Sequence, residues 1–155
     1  TGHAMALLTI AQTVVNAVRL GPLHTQANHI LDLLRDSQRT LAWLVTLPEE
    51  MPVNEAIEMK QKLALQAQIA LGPVLVNSLW PDILSSKTQA SLREANFENE
   101  MLKINAERSE QSAFYLEKLR SELSDNGILK LPLIYKTQNP HSIAEALMHS
   151  IQEQL

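Results

Sequence analysis

Three short apolar runs of this chain end in polar residues or proline, and these ends are where chemistry is best placed. The ends are residues 48–50, 77–78 and 132–133, with the sequences Pro-Glu-Glu, Asn-Ser and Pro-Leu. Short, nearly continuous apolar runs are typical of strands buried in a parallel sheet. In open α/β sheets a ligand binds beyond the carboxyl ends of the strands. The sequence therefore predicts one binding site built from these three ends.

Asn77 is the side chain best suited to read a ligand at that site. A carboxamide both donates and accepts hydrogen bonds, which is the bidentate chemistry by which Asn recognises the edge of adenine. The alternative is an Asn that only satisfies the turn after a strand. The residue alone does not decide between the two.

Acidic and histidine side chains predict no metal site. Glu49 and Glu50 have the chemistry to act near a metal or a nucleotide, but two acids at the start of a helix also complement its dipole. The later histidines are five residues apart at 24 and 29 and eight apart at 141 and 149, and neither spacing is typical of a metal-binding set.

Composition excludes several classes of function. A net charge of −4, with no stripe of basic residues, argues against a nucleic-acid binder, whose affinity comes largely from Lys and Arg. With no cysteine there is no disulfide, thiolate nucleophile or Cys-bound zinc, which fits a cytoplasmic location. The four glycines form neither a dinucleotide-binding loop nor a GxxxxGK[ST] phosphate loop.

The elements that must position these residues alternate between helix and strand. Apolar spacing predicts a helix over residues 4–18, a second helix after Pro22 with its apolar residues at 23–34, a helix near Pro52, one long helix or a broken pair over 85–124, and a last helix after Asn139-Pro140. Strands are predicted at 41–47, 74–79 and 128–131. We therefore expect an α/β fold with a helical subdomain at residues 4–35 and a sheet-and-helix part at 40–155.

Apolar stripes predict which helix faces are buried. The expected inward residues of the first helix are Leu7, Ile10, Ala11, Val14, Val15 and Val18, and those of the second are Leu23, Ala27, Ile30, Leu31 and Leu34. In the long helix, Ala113, Leu116, Leu119 and Leu123 form the seam. Three parallel strands make a small sheet, so we also expect missing strands upstream.

Four segments resemble the arsenite-pump (ArsA-like) ATPases, the family that includes the eukaryotic factors targeting tail-anchored membrane proteins. TGHAMALL is similar to the end of that family's switch II, where Pro-Thr-Gly-His precedes a Leu-rich helix. Three further segments are similar to segments of that family and occur in the same order. They are LAWLVTLPEEMPVNEA, PVLVNSLW and GILKLPLIY. The resemblance extends over nearly the whole chain and is strongest to the bacterial members described as anion-transporting ATPases.

The resemblance implies a P-loop NTPase-like fold of which residues 1–155 are the C-terminal part. The phosphate-loop half would lie upstream and bind most of ATP and Mg²⁺, so the isolated chain is expected to be inactive. Thr1, Gly2 and His3 would be the tail of switch II, and Asn77 and Pro132 would contact adenine. The loop after Pro132 lacks the family's usual Gly, which leaves base contacts there open.

The resemblance also implies partners. We expect a dimer with itself or a homologous subunit, and a possible hydrophobic client or membrane-protein partner bound by the helical subdomain, with peripheral membrane association as one location.

Two alternatives remain at this stage. Thr1–His3 could be the remnant of an expression tag, with the natural chain starting at Met5. The protein could also be a non-enzymatic α/β interaction module whose long helix binds a partner through Leu116, Leu119 and Leu123.

Overall fold

The computed structural model describes residues 2–80, 88, 91, 100–123, 127–134 and 139–154. The chain divides into two compact units, which we call the helical unit (Thr1–Leu44 and Asn54–Pro73) and the sheet unit (Val45–Val53 and Val74–Leu155). The predicted boundary between a helical subdomain at residues 4–35 and a sheet-and-helix part at residues 40–155 stays a prediction. No helix of the described residues is long and apolar enough to cross a membrane.

The helical unit begins with two packed helices, α1 (Gly2–Ala17) and α2 (Pro22–Arg35), as the sequence predicts. Gly21, with a φ of 104°, makes the left-handed turn that only glycine adopts readily, and Pro22 starts α2. The Arg35 guanidinium donates from Nη2 to Gln12 Oε1 at 2.6 Å, which ties the two helices together.

The predicted inward stripes of these two helices are partly wrong. Ala11, Ala27 and Leu31 are buried, but Leu7 and Ile10 are 70% and 53% exposed, and Leu23 and Ile30 are exposed as well. The buried face of α1 instead includes Met5, which packs with Met59, Leu63, Ala67 and Ile69. Apolar residues cover so much of the circumference of α1 that spacing alone does not select the inward face.

A third helix, α3 (Glu50–Lys62), continues into a π-helical turn at Leu63–Ala67 and ends at Gln68 in the left-handed region. It begins two residues before Pro52. Val53, Ala56, Met59, Leu63 and Ala67 are buried, whereas Ala64 is exposed.

The run at 41–47 is not buried on both faces, which corrects the prediction. Only β1 (Val45–Thr46) is regular strand, and Val45 is 65% exposed. Leu41, Trp43 and Leu47 are also exposed, so the exposed positions alternate. β1 has a neighbour on one side only in the described sheet, so it lacks the cover of a central strand.

Within the helical unit, the chain before β1 approaches the end of the crossover closely at Gly72. The Gly72 N–H donates to the Ala42 carbonyl oxygen at 2.9 Å. A Cβ on Gly72 would lie 2.6 Å from Trp43 Nε1 and 2.7 Å from Leu41 Cδ2. Only a glycine fits there without displacing these side chains.

In the described part of the sheet unit, three parallel strands lie in the order β1, β2 (Val74–Leu79), β3 (Ile128–Pro132), with crossover connections. This confirms the predicted α/β class and the strands at 74–79 and 128–131. Val74, Leu75 and Val76 are buried, as expected of a central strand. Leu75, Leu129 and Leu131 form a core against which Leu147 and Ile151 pack.

The described residues of the sheet unit form two further helices. In α4 (Glu100–Glu122), the second half of the predicted long helix, Leu119 is fully buried, and so is Leu123 directly after the end of the helix. Its predicted first half lies largely outside the described residues. Helix α5 (Pro140–Gln152) begins as predicted, with Asn139 Oδ1 accepting from the His141 N–H at 3.0 Å.

The interaction-module alternative requires Leu116, Leu119 and Leu123 at an accessible surface. Leu119 and Leu123 are buried within the chain, whereas Leu116 is half-buried. Binding of a partner through this helix stays a prediction, and only Leu116 of the three is partly accessible for it.

Candidate functional site

The carboxyl end of β2 carries a bulge at Asn77 and Ser78. Up to Val76 the register pairs Val76 with Lys130, but the next pair joins Leu79 to Pro132, so β2 has one extra residue. Ser78 has a φ of 57°, in the left-handed region that a non-glycine residue rarely adopts. Strain of this kind is common at functional sites and here changes where Asn77 and Ser78 stand relative to the strand.

A cavity of about 140 Å³ lies beside this bulge, entirely within the sheet unit. Three groups of residues surround it: the end of β1, the end of β2, and one face of α4. They are Leu47, Pro48, Glu49, Ser78, Trp80, Arg108, Gln111 and Ser112. Two of the three predicted strand ends therefore line the cavity, through Pro48, Glu49 and Ser78, and α4 supplies one of its walls. Asn77 and Pro132 are not among the lining residues.

Two buried polar groups, one on a residue that lines the cavity and one a helical turn from it, lack hydrogen-bond partners among the described residues. The Trp80 indole Nε1 is buried and has no hydrogen-bond acceptor among the described residues. Asn105 stands one helical turn before Arg108, and its Oδ1 is likewise buried without a partner there. A buried unpaired polar group costs free energy, so the N–H of Trp80, a residue that lines the cavity, is a candidate donor to a ligand.

The charges of the cavity are mixed. Arg108 contributes a permanent cation and Glu49 an acid, while Leu47 and Pro48 give an apolar wall. No group of three His, Cys, Asp or Glu side chains among the described residues is arranged to hold a metal ion. The arrangement suits part of a polar organic ligand with an apolar surface.

The sequence-predicted residues are found at several places. Asn77 is half-buried in the bulge and Pro132 is exposed at the end of the neighbouring strand, where the Leu133 N–H donates to the Leu79 carbonyl oxygen at 2.9 Å. Asn77 and Pro132 therefore share one end of the sheet. Gly2 and His3 are exposed in the first turn of α1, and Thr1 lies outside the described residues.

Sequence reasoning missed the wall formed by α4, because the stretch around Arg108 reads as solvated. A usable signal was the seven-residue spacing of Asn105, Ser112 and Leu119, all three of which are buried. Residues seven apart lie on one face of a helix, so the buried Leu119 predicts burial for the two polar residues as well.

Strain at the bulge gives a prediction. We expect Ser78→Val to lower the free energy of unfolding by about 1–3 kcal/mol, because a β-branched residue at positive φ is strongly disfavoured. Ser78→Gly, which tolerates this φ, should leave the free energy of unfolding unchanged or raised. Urea denaturation of both variants measures the difference, and equal losses would show that the left-handed conformation does not matter.

The chain is similar in sequence to mycobacterial proteins that are named as ATPases. No family model matches it. It is 34% identical over 94 residues to a protein named putative ATPase from Mycobacterium bovis and to one named ATPase BagA from Mycobacterium tuberculosis. The match covers 61% of this chain and 27% of each relative, so the chain spans about a quarter of their length.

Proposed function

We propose that this chain is the adenine-binding part of an ATPase of the arsenite-pump, or anion-transporting, type. The observation that carries the proposal is its 34% identity to mycobacterial proteins named as ATPases. The parallel strands, with a cavity at their carboxyl ends, are what an α/β nucleotide-binding domain requires at its ligand side.

In this proposal the half-buried Asn77 and the exposed Pro132, at one end of the sheet, contact the base. Asn77 pairs with the adenine edge through its carboxamide, held out of the regular strand by the bulge. Pro132 lies beside the adenine ring from the neighbouring strand. The cavity beyond Ser78 is small compared with the roughly 300–1,000 Å³ of drug-sized ligand sites, so it would take only one part of the nucleotide.

The phosphates and Mg²⁺ would be bound mainly by an upstream part of a longer protein. Phosphoryl transfer depends on a lysine and a backbone cradle around the β- and γ-phosphates, together with the metal. The 155 residues contain no GxxxxGK[ST] loop. We therefore propose that the complete protein hydrolyses ATP and that the isolated chain does not, with Thr1–His3 as the tail of switch II.

The test of base recognition is Asn77→Ala in the complete ATPase. We expect the KM for ATP to rise about tenfold with little change in kcat, because the lost hydrogen bonds to the base are present in both ground and transition states, and tenfold corresponds to about 1.4 kcal/mol. Steady-state hydrolysis with Mg²⁺ and either ATP or GTP measures it. The preference for ATP over GTP should fall as well.

Asn54→Ala is the matched control, since Asn54 is an exposed Asn on α3. It should leave the KM for ATP within twofold of the wild type. An Asn77 variant with an unchanged KM would refute the adenine contact. A wild-type protein without ATPase activity would refute the proposed function itself.

Exposed apolar side chains on the two helices of the helical unit support a proposal about partners. Leu7 and Ile10 on α1, and Leu23 and Ile30 on α2, are exposed although they are large and apolar. Such surfaces are where an apolar helix of a client or a membrane protein would bind. Order and disorder of a switch that continues into α1 would couple nucleotide state to this surface, and dimerisation of the ATPase is proposed with it.

A further inference from the structure

The outer edge of β3 exposes backbone groups of alternate residues. The Gly127 carbonyl oxygen accepts from the Val74 N–H at 3.1 Å, and the Leu133 N–H donates to the Leu79 carbonyl oxygen at 2.9 Å. Backbone groups of successive strand residues point to opposite sides in the sheet plane. Those of Leu129 and Leu131 therefore face β2, and those of Ile128, Lys130 and Pro132 face away from it.

One side chain satisfies both outward backbone groups of Lys130. Gln154 Oε1 accepts from the Lys130 N–H at 2.8 Å, and Gln154 Nε2 donates to the Lys130 carbonyl oxygen at 2.8 Å. The primary amide thus makes the two hydrogen bonds that a residue of a neighbouring strand would make. The Gln154 side chain therefore takes the place at this edge that one residue of an added strand would take.

The Gln154 amide is itself held in place. Nε2 also donates to the Ser150 carbonyl oxygen at 2.7 Å, and Ser150 Oγ donates to the Lys130 carbonyl oxygen at 3.2 Å. Leu147 and Ile151 anchor α5 on the buried face of β3. The last turn of α5 is therefore fixed over the edge by both apolar packing and hydrogen bonds.

Pro132, the next residue whose backbone faces away from β2, resists strand pairing for a different reason. Pro132 has no backbone N–H, so it cannot donate to an added strand. The Lys130 side chain is exposed at the same edge, and a charge there opposes pairing with an identical edge. Of the three outward positions, only Ile128 has both a backbone N–H and a carbonyl group that neither Gln154 nor a proline ring blocks in the described residues.

We infer that Gln154, acting with Pro132, closes the outer edge of β3 against strand pairing with a second copy of this chain. Unpaired strand edges are templates for sheet extension between molecules, and native proteins cover or interrupt them. The occupant of the edge in this structure is the chain's own Gln154. Removing it leaves the Lys130 backbone groups open to the same edge of another molecule.

The test compares Ser150→Ala/Gln154→Ala with wild type by amide hydrogen exchange on the full chain at low concentration. We expect the Lys130 amide to exchange at least tenfold faster in the variant, while the amides of Leu129 and Leu131 keep their protection. These two amides also report that the sheet is folded. Gln152→Ala, an exposed Gln on α5, is the matched control and should leave Lys130 protected.

Association is the second readout. Adding Pro132→Thr restores a backbone donor, and this triple variant should gain mass with concentration, beyond wild type, in sedimentation velocity. Protection of the Lys130 amide should return as concentration rises, which nonspecific aggregation would not produce. Unchanged exchange at Lys130 in the double variant, or no added association in the triple variant, overturns the inference.

Discussion

Leu119→Ala is expected to lower the free energy of unfolding by about 2–5 kcal/mol. Leu119 is fully buried on the inward face of α4, one turn before the equally buried Leu123. Truncation removes apolar contacts and leaves a cavity that close-packed neighbours fill only in part. The loss falls on the sheet unit, to which α4 belongs.

Urea denaturation of the full chain measures this effect. In a Trp43→Phe background, Trp80 is the only tryptophan, and it reports on the sheet unit alone. Met101→Ala is the matched control, because Met101 lies on the same helix in the same unit, is 75% exposed, and its truncation should change the free energy by no more than about 0.5 kcal/mol. Equal effects at the two positions would contradict the burial of α4.

Gly72→Ala is expected to destabilise the helical unit by about 1–3 kcal/mol through overpacking. The added Cβ would approach Trp43 Nε1 to 2.6 Å and Leu41 Cδ2 to 2.7 Å, and real Cβ atoms do not approach other atoms so closely. Leu41 can move the end of its side chain, but the indole of Trp43 is rigid. The hydrogen bond from Gly72 to Ala42 keeps the two segments from separating freely.

Gly2→Ala provides a control of opposite sign. Gly2 lies in the first turn of α1 with no atom near its added Cβ, and alanine is the better helix former by about 1 kcal/mol in a helix interior. This variant should be unchanged or more stable. Thermal and urea unfolding followed by helical circular dichroism compares the two.

A double-mutant cycle then locates the clash. In a Trp43→Ala background, Gly72→Ala should cost clearly less than it does in the wild type, because the rigid ring is absent. If the cost is the same in both backgrounds, contact with Trp43 is not its cause.

The strands, and the crossovers between them, were predictable because buried parallel strands consist of continuous apolar runs. Val74–Leu79 has this pattern and is the central strand of the sheet. The run at 41–47 has the same pattern but pairs on one side only in the sheet that the described residues form, and a sequence run does not specify the number of its neighbours. Edge or centre is a property of the assembled sheet, not of the strand.

Only one part of the candidate site was predictable, namely the part formed by the carboxyl ends of the parallel strands. The strand ends at Glu49 and Ser78 line one cavity because parallel strands must end at one edge of the sheet. Arg108, Gln111 and Ser112 reach that cavity from a helix whose rotation depends on tertiary packing. The left-handed Ser78 could not be predicted either, since serine has no preference for positive φ.

The π-helical turn at Leu63–Ala67 has a consequence for how this chain tolerates changes in length. Such a turn holds about one residue more than an α-helical turn, because its hydrogen bonds run from i to i+5. Losing one residue there converts the turn to ordinary helix, and Met59 and Ile69 on either side can keep their places around Met5. Single-residue deletions should therefore be accepted at this turn more readily than within α3.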